Sequence, residues 1–450
     1  MSQSQEFSIF VEDIKSCNDK IRNEIILKLS RLTVLFYLIF AILCFLFVPF
    51  FIPLKNTAIA NDFRIFYQSA QILLEQPEYL YSSSIYNMPF RYFPFFSLLF
   101  IPYTFIPFEI TFIIHITLMA IIHIASFYII FILSSKILKV QFDTKIKRDL
   151  LFLNLMTPLL AILLLIGQIT EIFIFFILIS ILILENDNLN RYKLKFKDFI
   201  LGFLLGLSVS FKPFAFLLIP FFLKIYISYK SRAYEFEIKE TLIASCGFFL
   251  AISVNIIYWI LYPNLIFDFI MINFNTQLPN YPSSSITRII IIMLNALNIQ
   301  VPEALVMLIL FLCLYSFLFF FYIQQPIKQK NHSLFVGMSM LLILIIFPDS
   351  WFLNFLILFM IFIPGYLKIE EDLTFENSQG LEKKLSYTYL LNYNILKYGI
   401  LYFTIGIVLG FTIIPFDPIL PPLLLILYFV MLWKIYLYNI QRKEKNQEDI

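Results

Sequence analysis

The stretch Asn61-Asp62-Phe63-Arg64-Ile65-Phe66-Tyr67-Gln68-Ser69-Ala70-Gln71-Ile72-Leu73-Leu74-Glu75 is too polar to cross a bilayer and too apolar for an ordinary loop. Phe63, Phe66, Tyr67, Ala70, Leu73 and Leu74 recur at helical spacing, with Arg64, Gln68, Gln71 and Glu75 largely on the other side. That is the pattern of a helix lying in a membrane interface. A second such segment, Phe90-Arg91-Tyr92-Phe93-Pro94-Phe95, opens an apolar run broken at Pro102 and Pro107. What surrounds them is far more apolar. The chain has 450 residues, 60% of them hydrophobic and 14% charged, with a mean hydropathy of +0.84. No soluble domain buries that much apolar surface, and stretches of ~20 apolar residues, enough to cross a bilayer, recur from end to end.

The expectation is an all-α polytopic membrane protein with about twelve spans: 32–52, 110–133, 149–166, 169–184, 198–211, 213–229, 240–262, 303–323, 334–348, 351–367, 397–415 and 419–438. Several are short, so tilt or local thinning is expected. Alternate loops collect all of the 33 lysines and arginines except Lys55, Arg64, Arg91, Lys212 and Arg288. The positive-inside rule then puts both termini in the cytoplasm of a multi-pass cell-membrane protein, which fits an even number of spans. The expected division is a cytoplasmic segment 1–31, a transmembrane catalytic module 32–367, a cytoplasmic linker 368–396, and a C-terminal pair of spans with its tail, 397–450. The long outer connections are 53–109, with its interfacial helices, and 263–302. The other outer corners are tight, so the outer face is the expected working side.

Composition also excludes. Ten glycines are few for a transporter built on broken, closely packed helices. Cys17, Cys44, Cys246 and Cys313 have neither metal-ligand spacing nor the look of a disulfide framework. The N-terminus carries no secretory signal, and 32–52 reads as a retained anchor. No Walker loop, dinucleotide glycine pattern or zinc motif occurs, and no nucleic-acid partner is expected. Glu185-Asn186-Asp187-Asn188 resembles an acidic metal motif only superficially.

Ionisable residues near the membrane need a reason. Asp62 opens the interfacial helix, where it is either an N-cap, worth about 1 kcal/mol, or a base held at the membrane boundary. Both roles fit one residue. Lys212-Pro213 sits between two spans with no room for a loop, so Lys212 either snorkels or meets a lipid phosphate. Arg91 and Arg288 are further phosphate candidates, as is Arg64 unless it only forms the polar face of its helix. Gln168 and Glu171, one turn apart, either bond a sugar or cap a helix, and Asp349 is another cap candidate. His115 and His123 read as core packing in the second span, and His332 as part of a cytoplasmic loop.

These residues resemble glycosyltransferase family 87. The resemblance lies in Asp62-Phe63-x-x-Phe66-Tyr67-x-x-Ala70, Tyr79-x-Tyr81, and Phe90-Arg91-Tyr92-Phe93-Pro94 with Pro102 and Pro107. It continues through Gly167-Gln168, Gly202-x-x-x-Gly206 before Lys212-Pro213, Ser284 to Arg288, and Ser350-Trp351, over about 30–365. Departures are Phe93 where a proline is usual, Thr170 or Glu171 where an asparagine often follows Gly-Gln, and Leu353 and Asn354 where the family often places a histidine. The resemblance implies a GT-C fold and a metal-independent transferase using a polyprenyl-phosphate sugar, most often mannose, with a lipid or glycan acceptor. No cofactor is implied. It makes Asp62 the general base and Lys212, Arg91, Arg288 and Arg64 the donor-phosphate contacts. Gln168, Glu171, Tyr67, Tyr92, Asn354 and Trp351 become sugar or acceptor contacts.

The chemistry is consistent with that inventory. A lipid-tethered leaving group demands a site at the membrane boundary, and one base opposite the leaving group means inversion at C1. The phosphate needs cations but no general acid. Two alternatives remain at this stage. A lipid-linked glycan flippase predicts two superposable halves around a mid-membrane site. An outer-face glycan polymerase or ligase predicts a diphosphate-linked oligosaccharide donor.

Overall fold

The structure is a computed structural model describing residues 59–82, 86, 88–138, 158–185, 196–228, 233–274, 285–327, 330–347, 422, 424–426 and 428–436. Expected spans 32–52, 351–367 and 397–415 lie outside these residues, as do Trp351, Asn354 and Asp349.

The first interfacial segment is helix α1 (Asn61–Glu75), and the second is α2 (Pro94–Thr104), followed by α3 (Phe108–Leu138). Next come α4 (Pro158–Ile166), α5 (Thr170–Leu184) and α6 (Lys197–Phe211). After a 3-10 helix and a short hairpin, the chain forms α7 (Ile238–Leu261), α8 (Asn264–Phe274), α9 (Ile286–Ala296), α10 (Glu303–Ile323) and α11 (His332–Ile346). Among the described residues, three helices are long and apolar enough to cross a membrane: Phe108–Leu133 within α3, α7 and α10. The chain is therefore a helical membrane protein.

Some expectations need correction. The span expected at 213–229 is not one helix. Pro213–Phe222 is a 3-10 helix with Pro220 inside it, and Ile225–Ser228 is a strand paired antiparallel with Ala233–Phe236. Proline lacks the N–H that an α-helix needs and its ring crowds the preceding turn, while Ile-Tyr-Ile-Ser alternates as strands do. Among the described residues the fold is thus helical with one β-hairpin rather than purely α. The segments expected at 169–184, 198–211 and 334–348 are helices of 15 residues each. At 1.5 Å per residue that is about 22 Å, short of the ~30 Å hydrocarbon layer. α11 is buried along its whole length, as befits a helix apolar all round. His332, expected in a loop, is its buried first residue, and its Nδ1 lies 3.0 Å from the Phe221 carbonyl.

α6 and α7 form the tightest seam. A Cβ on Gly202 would lie 1.7 Å from the Ala244 carbonyl oxygen, and one on Gly247 2.1 Å from that of Phe199, so only glycine lets these backbones meet. The aromatic residues of α1 and α2 build their own core. Phe63 packs on Phe100, Tyr103, Phe108 and Phe112, and Phe66 on Tyr92, Phe96 and Phe100. This aromatic block sits over one end of α4, α5 and α6, while the hairpin lies at the opposite end of α6.

Candidate functional site

The site begins with how α4 stops. Gly167 has φ +76, the Gln168 N–H donates to the Leu163 carbonyl at 2.9 Å, and the Gly167 N–H donates to that of Leu164 at 3.1 Å. These two bonds close a left-handed helix terminus that glycine adopts without strain. Glycine is required twice, since a Cβ there would fall 2.5 Å from Cβ of Phe63. The next carbonyl, that of Leu165, accepts from the Ala60 N–H at 2.8 Å. One backbone bond thus docks the start of α1 on the end of α4, and Asp62 and Gln168 follow a few residues along each chain.

They meet. Gln168 Nε2 donates to Oδ2 of Asp62. The other end of the same amide, Oε1, accepts from Lys212 Nζ at 3.4 Å and from the Ile169 N–H at 3.3 Å. Lys212 Nζ also donates to the Tyr92 hydroxyl at 3.2 Å and stands 5.1 Å from that ring's centroid. Lys212 follows α6 in extended backbone geometry (φ −139, ψ 101), as a residue before proline must. It is only 8% exposed. A carboxylate and an ammonium group are therefore held one amide apart, with a phenol beside the ammonium.

The cap reading of Asp62 does not hold. The residue flanking α1 is Ala60, left-handed at φ 57, and no side chain caps the helix. Asp62 lies inside the first turn with its carboxylate directed at Gln168. Burial raises its pKa to about 6 against the opposing pull of Lys212 and the Gln168 bond. Burial likewise lowers Lys212 to about 8, with Asp62 opposing. Burial pushes the Tyr92 phenol up, so it stays a neutral hydroxyl.

Other expected residues go elsewhere. Tyr67 gives its hydroxyl to the carbonyls of Thr104 and Ile106, at 3.5 and 3.3 Å, and so ties down the end of α2 instead of facing Asp62. Glu171 points away from Gln168, its Oε2 2.8 Å from His123 Nδ1 with both side chains buried. Gln168 lies in the corner before α5 and Glu171 in its first turn, and the two side chains serve different neighbours. Arg288 sits in the first turn of α9, where Ser285 Oγ accepts its backbone N–H, and its guanidinium is 3.7 Å from Glu303. Arg64 is partly buried on α1. Arg91 lies close enough to Tyr92 to act on its hydroxyl electrostatically. Among the described residues no three His, Cys, Asp or Glu side chains converge as a metal site.

Asn255, which the sequence reading passed over, and Tyr81, named there only as part of a motif, hold the frame. Asn255, buried in α7, accepts from the Phe95 N–H at 2.8 Å and donates to Ser210 Oγ at 2.9 Å. It caps α2 just after Tyr92 and grips α6 just before Lys212. Tyr81 donates to the Tyr92 carbonyl at 2.8 Å. A lone asparagine in an apolar span was the available signal for the first of these.

The chain matches the family model described as Glycosyltransferase family 87 over residues 90–348. It belongs to glycosyltransferase family 87. The matched residues contain Arg91, Tyr92, Gln168, Glu171, Lys212, Asn255 and Arg288, while Asp62 precedes the match and Trp351 and Asn354 follow it. No curated protein matches the chain.

Proposed function

We propose that this family 87 protein is an inverting GT-C transferase. It moves a hexose, with mannose the first to test, from a polyprenyl-phosphate sugar to a lipid or glycan acceptor on the outer face of the cell membrane. The observation that carries the reading is the pair of groups at the two ends of the Gln168 amide. Asp62 at one end accepts the proton of the acceptor hydroxyl as its oxygen attacks C1. The bond from C1 to the phosphate oxygen breaks on the far side of the ring, and the polyprenyl phosphate leaves with the electron pair. Lys212 at the other end is one amide's width from the base, on the scale of the gap between an attacking and a leaving oxygen. Two of its three N–H donors go to Tyr92 and Gln168, and the third is offered to the leaving phosphate. Arg91, beside Tyr92, supplies further positive charge, and no metal is needed for a leaving group already stabilised as a phosphate.

A pKa of about 6 for Asp62 suits this work, since it is ionised at neutral pH yet a stronger base than an ordinary aspartate. Tyr92 gives the sugar a hydroxyl and a ring face.

The test uses the purified full chain in lipid, with polyprenyl-phosphate mannose as donor, a membrane glycolipid extract as acceptor, and released polyprenyl phosphate as readout. Asp62→Asn should lower turnover about 10²- to 10⁴-fold at an unchanged melting temperature, and the product should have the inverted anomeric configuration. Wild-type turnover by a folded Asp62→Asn variant defeats the assignment. A preference for a diphosphate-linked oligosaccharide donor would move the chain to the polymerase or ligase class.

A further inference from the structure

α3 carries two buried histidines that face the corner bearing Gln168. His115 Nε2 lies 3.1 Å from the Gly167 carbonyl, and His123 Nδ1 lies 2.8 Å from Glu171 Oε2. Gly167 and Glu171 bracket Gln168, so one helix holds the corner immediately before and one turn after the residue that bonds Asp62. The corner also rests on α1 through Phe63, whose ring lies tilted against His115 with centroids 4.9 Å apart. α3 and α1 thus grip the corner from two sides, right beside Gln168.

Glu171 makes this more than packing. It occupies the first turn of a helix that has no side-chain cap, where an acidic group ordinarily turns back on free backbone N–H groups. Here it turns sideways to His123. Its second oxygen, Oε1, is buried with no hydrogen-bond partner among the described residues. A buried carboxylate satisfied on one oxygen is a poor device for stability, since an apolar pair of the same volume would serve as well or better. What the polar pair adds is register, because a directional bond fixes the rotation of α5 about its axis as apolar contact does not.

We propose that His123 and Glu171 are positioning residues for the base, fixing the corner so that the Gln168 amide meets Asp62. This rests on the reading of Asp62 as general base. The Gln168 bond lowers the pKa of Asp62, so a corner that drifts should raise it. Lys212 and Tyr92, the other titratable groups acting on Asp62, are left in place by every variant below.

The experiment compares the pH dependence of kcat/KM for wild type, His123→Ala, Glu171→Ala, Glu171→Gln and Gln168→Ala, using the assay above. His123→Ala and Glu171→Ala should lower kcat about tenfold to a hundredfold, the scale of a misplaced catalytic group, with donor KM little changed. Both should move the acid limb to higher pH, as Gln168→Ala does. Adding Gln168→Ala to His123→Ala should move it no further. Glu171→Gln still accepts from His123 and should keep the wild-type limb. Should His123→Ala fail to fold, His123→Asn, which keeps a donor at shorter reach, replaces it. A lower melting temperature with an unmoved acid limb overturns the proposal and leaves the pair a fold element. Absence of the acid limb from wild type, or its persistence in Asp62→Asn, overturns the parent reading instead.

Discussion

α6 ends in a buried lysine on one side and is met by another lysine on the other, and the two have opposite environments. Lys212 is 8% exposed and has one carboxylate acting on it, through the Gln168 amide. Lys224, in the link between the 3-10 helix and the hairpin, is 19% exposed and touches two carboxylates directly, Asp198 at 3.1 Å and Glu237 at 3.0 Å. Burial lowers Lys212 to about 8. Burial also pulls on Lys224, but its contacts with Glu237 and Asp198 outweigh it and the pKa is raised. The same residue type is thus chemically poised at one end and saturated at the other. Partner carboxylates set the charge state of the lysine at the hairpin end, whereas burial sets it at the Asp62 end.

The sharpest way to break this comparison is to remove each ammonium group in turn. Lys212→Met should cost about 10²- to 10³-fold in turnover, the usual scale for losing one oriented charge at a developing anion. It should also shift the acid limb upward, because Asp62 loses the cation that holds its carboxylate ionised. The pH profile of the wild type is the next largest effect. The base must be unprotonated and the lysine protonated, so activity should rise as pH climbs through about 6 and fall through about 8. Steady-state rates from pH 5 to 9 check this, and the limbs belong to the coupled pair rather than to either group alone. A flat profile across that range, or an alkaline limb that survives in Lys212→Met, contradicts the assignment.

Much of this was legible in the residues. The period of α1, the tight Gly167-Gln168 corner and the Lys212-Pro213 stop follow from local rules about helices and prolines. The directions of side chains did not. Gln168 and Glu171 lie three residues apart and looked like one patch, yet Gln168 stays in the corner while Glu171 is inside α5, and they meet different neighbours. Tyr67 sits in an aromatic motif, yet its hydroxyl is taken by backbone carbonyls that only the fold brings near. Asn255 escaped notice because its partners are the Phe95 N–H and Ser210, distant in the chain. The 3-10 helix and hairpin were hidden because an apolar run with two prolines scores by hydropathy as a span. Hydropathy measures where a segment prefers to be, not which hydrogen bonds it makes there.

Backbone proximity gives smaller effects that sharpen the contrast. Gly202→Ala would place a Cβ 1.7 Å from the Ala244 carbonyl, so the α6–α7 seam must open, at about 1–3 kcal/mol. Gly167→Ala combines a positive φ, costing about 1–2 kcal/mol, with the Phe63 contact. Only the second lies beside Gln168. Thermal melts should therefore show both variants destabilised, while turnover per folded molecule should fall far more in Gly167→Ala. Asn255→Ala leaves the Phe95 N–H and Ser210 hydroxyl without this partner, at about 1–3 kcal/mol. It should raise donor KM, because Tyr92 and Lys212 are no longer tied to one frame.

The smallest effect is expected where the charges are most numerous. Lys224→Met removes both contacts of an ion-paired lysine, but Asp198 is 19% and Glu237 40% exposed. Solvent screens such pairs, so the loss should be within about 0–1 kcal/mol, and it should shrink further in high salt. The sign with pH is fixed by the raised pKa. Any stabilisation is present at neutral pH and is lost only as pH rises beyond the ordinary lysine range. Between pH 5 and 9 the melting temperature of Lys224→Met should thus track that of wild type at a constant small offset, with turnover unchanged. A fall in turnover comparable with that of Lys212→Met would mean that the hairpin end communicates with the Asp62 site along α6, and the division between a reactive end and a saturated end would have to be abandoned.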